Sequence, residues 1–128
     1  MPTTVYIVED NQDMRLIIKK FLQRCDLDIQ VVGESETAEK ASIEIPELDP
    51  DFALVDISLP GMDGLELIRL LRDKLDHVHW ILVVTGHDIE LYKDSAVKAG
   101  ADDIVSKDNL KTLIEKITSI LRKGKKGN

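Results

Sequence analysis

Five short apolar runs, scarcely interrupted by polar residues, constrain this chain more than any other feature. They are Val5-Tyr6-Ile7-Val8, a weaker run around Ile29–Val32, Phe52-Ala53-Leu54-Val55, Trp80-Ile81-Leu82-Val83-Val84 and the short Ile104-Val105. A strand that offers apolar side chains to both of its faces needs cover on both faces. Each run is followed by a stretch with helical spacing. After the first, Met14, Ile17, Ile18, Phe21, Leu22 and Cys25 recur at the i, i+3, i+4, i+7 positions of a helix with one buried face, with Asp10 or Asn11 as its cap. The second helix runs from about Thr37 to Glu44 and is closed by Pro46 and Pro50. Pro60-Gly61 and Asp63-Gly64 mark a loop before a third helix over Leu65–Leu75. The fourth spans Asp88 to Ala99, with Ile89, Tyr92 and Ala96 on one side and Gly100 at its end. Leu110, Leu113, Ile114, Ile117 and Leu121 line the fifth. Strand and helix alternating five times, with right-handed crossovers, predict an α/β three-layer sandwich around a parallel sheet.

Composition narrows the function. With 128 residues against about 150 per domain, the chain reads as a single domain, residues 1–128, with a core over about 4–121 and a basic tail over 122–128. Its net charge of −7 argues against direct nucleic-acid binding, and the tail Arg122-Lys123-Gly124-Lys125-Lys126 is its one basic cluster. No apolar run approaches the roughly 20 residues that span a bilayer, and no signal peptide opens the chain. The single cysteine, Cys25, forms no internal disulfide and reads as a buried, inert thiol, which fits a cytoplasmic location.

The polar residues fall where an open α/β sheet binds ligands, beyond the carboxyl ends of its strands. The first run stops at Glu9-Asp10, the third at Asp56, the fourth at Thr85, and the fifth is followed by Lys107. Three carboxylates within about 4–6 Å repel by several kcal/mol at an effective dielectric near 20, so such a site takes up a proton or a cation. An all-oxygen set without histidine favours a hard ion, Mg²⁺ above all. Metal, carboxylate, the Thr85 hydroxyl and the Lys107 ammonium together suit phosphoryl transfer, in which catalysis is positioning and charge neutralisation. Asp56 qualifies as the acceptor, because carboxylates form aspartyl phosphates.

Glu9-Asp10, the stretch Asp56-Ile57-Ser58-Leu59-Pro60-Gly61-Met62-Asp63-Gly64, Thr85-Gly86 and Lys107 together resemble the receiver domain of bacterial two-component response regulators. The resemblance covers nearly the whole chain and implies the flavodoxin-like strand order 2-1-3-4-5. It implies that Asp56 accepts a phosphoryl group from the phosphohistidine of a histidine kinase or phosphotransfer protein. Asp10, Asp56 and the Ser58 backbone carbonyl would ligate Mg²⁺, with Glu9 acting directly or through water. Lys107 would pair with phosphoryl oxygens and Thr85 would turn inward to hydrogen-bond one of them. That movement would bias a surface of the fourth helix, fifth strand and fifth helix, read by an output domain or a downstream protein. Family members often pair through this face, so a homodimer is one implied state.

The sequence departs from the family at two places. Ile104 stands three residues before Lys107, where a Tyr or Phe usually rotates with the threonine. Asp108 replaces a proline that often follows the lysine through a cis bond, so a trans peptide is expected here. The pair Lys107-Asp108 and the Leu59–Gly64 loop are similar to receivers of the nitrate-regulator type, which carry helix-turn-helix output domains. The chain is then a standalone receiver or a piece of a longer regulator.

Other readings fit less of the pattern. A haloacid-dehalogenase-type hydrolase would place a second Asp two residues after its nucleophile, where Ser58 stands. A flavodoxin-like cofactor carrier would meet its phosphate with donors, whereas Glu9-Asp10 would repel it. A receiver-shaped interaction module acting without phosphorylation is favoured by Ile104 and opposed by Asp56, Thr85 and Lys107. His77, His79 and His87 make no metal-site spacing, although His87 and Ser58 each lie two residues past a site residue, where the family tunes phosphoryl lifetime. Trp80 reads as core or sheet-edge packing, and Leu91 as a candidate partner contact.

Overall fold

The computed structural model describes residues 2–74 and 80–123. Ten elements alternate along it: β1 (Thr3–Val8), α1 (Gln12–Arg24), β2 (Ile29–Ser35), α2 (Ala38–Leu48), β3 (Phe52–Val55), α3 (Gly64–Lys74), β4 (Trp80–Thr85), α4 (Ile89–Ala99), β5 (Asp103–Ser106) and α5 (Leu110–Lys123). The strands are all parallel, in the order β2-β1-β3-β4-β5. This is the doubly wound order expected, and it places the carboxyl ends of β1 and β3 side by side at the sheet's centre.

Although the central runs of β1, β3 and β4 are apolar on both faces, their residues divide by parity between two cores. Tyr6, Val8, Ala53, Val55, Ile81 and Val83 pack with α2, α3 and α4 residues such as Ile45, Leu67 and Ala96. Val5, Ile7, Phe52, Leu54, Leu82 and Val84 pack on the other face against Ile18 and Leu22 of α1 and Leu113 and Ile117 of α5. Each face therefore hides a full set of strand side chains, worth about 1.5–3 kcal/mol for each large one.

Local chemistry sets the ends of the elements. Asn11, and not Asp10, caps α1, its side chain accepting from the Met14 N–H at 2.8 Å. Thr37 and Asp88 do the same for α2 and α4. Gly100, at φ 120°, closes α4 by donating to the carbonyls of Ala96 and Val97.

Several expectations need correction. Pro46 does not end α2. It lies inside the helix, which runs to Leu48 and is closed by Asp49 at φ 52°, whose N–H donates to the Ile45 carbonyl at 2.8 Å. A proline so near the end removes one helical bond, while the buried Ile45 and Ala41 anchor the rest. Strand β2 is three residues longer than its apolar run and passes through Gly33, where a Cβ would sit 2.6 Å from the Tyr6 ring. Glycine is needed there to admit the ring, and the β1–β2 register shifts at the same point. In α1 the buried residues are Arg15, Ile18 and Leu22, while Ile17 and Phe21 are 45% and 41% exposed, so the contact stripe is narrower than the apolar one. Cys25 is half-buried, with its thiol donating to the Leu22 carbonyl at 3.1 Å. Leu121 is 39% exposed on α5. Trp80 is half-buried at the start of β4, stacked 6.5 Å from Phe52. Leu75, His77, His79 and the tail beyond Lys123 lie outside the described residues.

Candidate functional site

Four strand ends bring the polar residues together. Parallel pairing sets their level: the Glu9 N–H donates to the Ser35 carbonyl, the Asp56 N–H to that of Val8, and the Lys107 N–H to that of Thr85, each at about 3 Å as one more ladder bond. Glu9 and Asp56 are 2% and 4% exposed, Thr85 is wholly buried, and Asp10 stands exposed at the rim. Carboxylate oxygens of Glu9, Asp10 and Asp56 lie within 4.8 Å of one another, the one such acidic group among the described residues.

Lys107 reaches across this group. Its Nζ donates to Asp56 Oδ2 at 2.9 Å and lies 2.6 Å from Glu9 Oε1 as an ion pair. That Glu9 oxygen is fully enclosed yet has no partner in hydrogen-bonding geometry. Its other oxygen accepts from the Asn11 N–H at 3.1 Å. Burial raises the Glu9 pKa above the ordinary carboxyl value and outweighs the pull of Lys107 and the Asn11 N–H. Burial also disfavours the Lys107 ammonium, but the two carboxylates prevail and hold its pKa above 10.5. The pocket is thus a buried acid-rich cleft with one tethered cation. Its oxygen-only donors, three carboxylates within 4.8 Å of one another, fit a small hard cation such as Mg²⁺.

The loop after β3 completes the cleft. The Ser58 N–H approaches Asp56 Oδ1 at 3.3 Å, so both oxygens of Asp56 are oriented by donors. The loop returns to the sheet where the Gly64 N–H donates to the Ile57 carbonyl at 2.9 Å. From α2, Glu39 accepts from the Met62 N–H at 3.2 Å and steadies the far side. Ile104 is 5% exposed and packs into the core shared with α4, so the usual ring position holds an inward-facing aliphatic side chain. No cis peptide occurs among the described residues, in agreement with the trans bond expected before Asp108.

Two features of the site lie beyond sequence reasoning. Arg15, on the inner side of α1 and 7% exposed, donates to the Glu9 carbonyl at 2.6 Å and reaches Glu34 near the end of β2 and Glu36 just beyond it. The arginine interrupts an apolar stripe, and that was the available signal. Ser58 Oγ and His87 Nε2 share a short hydrogen bond across the cleft mouth, linking residues 29 apart.

The Arg15 cluster gives a pH prediction. Lys19 at 2.6 Å, with Arg15 at 3.2 Å, lowers the Glu34 pKa below its ordinary 4.5. A carboxyl lowered on folding adds stability that is fully present above the unfolded value and lost as pH falls through the folded one. Glu34→Gln is therefore expected to flatten the loss of stability below pH 4.5. Urea melts at neutral pH and in the acid limb check this, and parallel acid limbs for both proteins would refute it.

Comparison with known proteins agrees with this geometry. The model of the response regulator receiver domain matches residues 5–118. The nitrate/nitrite response regulator protein NarL of Escherichia coli K12 is 37% identical over 109 residues, covering 84% of this chain and 49% of that protein. A cyclic di-GMP phosphodiesterase of Thermotoga maritima is 39% identical over 120 residues, 93% of this chain and 31% of its own length. The chain thus spans half or less of these two relatives. Among solved structures, a LuxR-family two-component response regulator from Aurantimonas superposes with a TM-score of 0.87 at 28% identity, covering 95% of this chain and 86% of that one. The signal receiver domain of a NarL response regulator from Mycobacterium tuberculosis gives 0.84 at 27% identity, over 97% and 98% of the two chains. Fold and sequence similarity agree, and the chain belongs to the response regulator receiver domain family.

Proposed function

We propose that residues 1–128 act as one phosphoacceptor receiver domain in which Asp56 takes a phosphoryl group from a histidine kinase or phosphotransfer protein. The observation that carries this reading is Lys107, which follows β5, held between Asp56 and Glu9 at the ends of β3 and β1, 2.9 and 2.6 Å from their oxygens. In the transfer, a new P–O bond forms to an Asp56 carboxylate oxygen as the P–N bond of the donor breaks. The donor imidazole leaves with the bonding electron pair and takes a proton from solvent. Water later attacks phosphorus, releases phosphate and restores the carboxylate.

Each residue of the cleft has work in that sequence. Donors from Lys107 and the Ser58 N–H fix the plane of the Asp56 carboxylate, so the attacking oxygen is oriented before the donor arrives. Lys107 then follows the negative charge onto the phosphoryl oxygens. Thr85, buried beside the cleft, supplies a hydroxyl to one of them. Glu9, Asp10, Asp56 and the Ser58 backbone carbonyl would hold Mg²⁺, which when bound neutralises charge on the transferring group. The reading includes a cytoplasmic setting, and an output response through α4, β5 and α5 to an output domain or a downstream protein. Homodimerisation through that face, with no direct contact to nucleic acid or membrane, belongs to it as well. Among the described residues no helix is long and apolar enough to cross a membrane.

The test is intact mass after incubation with acetyl phosphate, with and without Mg²⁺. Wild type is expected to gain one phosphoryl group only when the metal is present, and Asp56→Asn to gain none. No gain in wild type from acetyl phosphate or from a histidine-kinase donor would favour the module that acts without phosphorylation. The buried Ile104 in place of a mobile ring would then become the residue to explain.

A further inference from the structure

The cleft mouth is closed by a side-chain contact that the chemistry above does not use. Ser58, on the loop after β3, shares a hydrogen bond through its Oγ with Nε2 of His87, on the loop after β4. Which atom donates follows from the imidazole tautomer. Both residues are exposed, and both loops lead straight back to the site. The Ser58 N–H faces Asp56 Oδ1, and the His87 N–H donates to Thr85 Oγ1 at 3.0 Å. On its other side the His87 ring lies 5.4 Å from that of Tyr92, tilted by 58°. Tyr92 sits on α4 and packs against the core that also holds Ile104.

A continuous chain of contacts therefore runs from Asp56 through Ser58, His87 and Tyr92 to α4, while position 104 offers no ring to carry motion. We propose that the Ser58–His87 hydrogen bond is a latch holding α4 in its resting arrangement, and that phosphorylation of Asp56 releases it. The inference rests on Asp56 being the phosphoacceptor. A phosphoryl group enters the space between the two loops and presents three strong acceptor oxygens. Thr85 is drawn to one of them and carries the His87 backbone with it. His87 exchanges Ser58 for the new anion, and Tyr92 moves with its ring partner. In this role His87 and Tyr92 are positioning residues for α4.

Hydrogen exchange of the α4 amides, 89–99, tests the latch in wild type, His87→Phe and His87→Gln, each with and without acetyl phosphate and Mg²⁺. Phenylalanine keeps a ring against Tyr92 but cannot bond Ser58, whereas glutamine keeps a hydrogen-bonding group. Unphosphorylated His87→Phe is expected to exchange its α4 amides about two- to tenfold faster than wild type, the factor for one net hydrogen bond. Its further change on phosphorylation is expected to be smaller by the same factor, and His87→Gln to lie nearer wild type. His87→Phe indistinguishable from wild type, or His87→Gln as fast as His87→Phe, overturns the latch. Phosphorylated wild type with unchanged α4 exchange overturns the release step and leaves the phosphoacceptor reading intact. Absence of any phosphoryl gain by mass is the separate failure of that reading, and the unphosphorylated comparison still decides the latch.

Discussion

Gly64→Ala is expected to cost about 1–3 kcal/mol of stability and to take phosphoryl uptake down with it. A Cβ at this position would lie 2.0 Å from the Asp56 carbonyl oxygen, 2.8 Å from its carbon and 2.9 Å from Ile57 Cα. All three are backbone atoms, so no rotamer change relieves the overlap. The start of α3 must instead withdraw, although Leu67, Ile68 and Leu71 are wholly buried and resist displacement. Overpacking of this kind costs about 1–3 kcal/mol, and loss of the Gly64 N–H bond to Ile57 adds about 1. Against that, alanine in a helix gains about 1 kcal/mol over glycine. The steric term is the larger, and it acts on the residue that carries the acceptor. A useful control is Asp63→Ala, which removes the acceptor for the Glu66 N–H and is expected to cost about 1 kcal/mol. Urea melts and intact mass measure both effects, and a Gly64→Ala protein as stable as the control would show that the loop yields freely.

Lys107→Ala is expected to lose up to about 3 kcal/mol in the presence of a chelator, because it strands two buried carboxylates. The lysine is 19% exposed by side chain and its partners 2% and 4%, so solvent screens the group only weakly. Uptake of a proton by Glu9 limits the loss, since burial already raises its pKa. Magnesium is expected to restore most of the deficit, about 2.7 kcal/mol at a hundred times its Kd. The same addition should stabilise wild type less, where a tethered ammonium already occupies the carboxylates. Melts of both proteins with chelator and with Mg²⁺ decide the matter. Equal gains in the two, or no deficit without metal, would show that Lys107 and the cation do not share these oxygens. Asp56 remains in the variant, so phosphoryl uptake is expected to persist while the α4 response is lost.

How far the residues foretold this molecule depends on what each pattern encodes. Unbroken runs such as Phe52–Val55 announce strands covered on both faces, and five of them separated by helices leave few arrangements. Residues that end those runs must lie at one edge of a parallel sheet, so Glu9, Asp56, Thr85 and Lys107 could be assembled before any coordinates. Long-range detail is another matter. Helical spacing marks Ile17 and Phe21 as apolar but cannot say how wide a contact α1 makes, and the buried side of that helix includes an arginine. Proline lowers the chance of a helix without forbidding its last turn, so Pro46 misplaced the end of α2. Gly33 and Glu34 disguise the second half of β2, whose glycine exists to admit a ring from the neighbouring strand. The Ser58–His87 bond depends on the relative height of two loops, which no local spacing records.

Gathering the reactive groups at strand ends has a consequence for how such a chain can diversify. The cleft is assembled from backbone rungs and from side chains rooted in the sheet, while the solvent-facing sides of the helices contribute none of its atoms. Leu91 and Val97 on α4, or Ile17 and Phe21 on α1, can therefore change identity without moving an oxygen of the acidic cluster. Chemistry and address are written in separate alphabets. One strand-end cleft can be joined to different outer surfaces without being rebuilt.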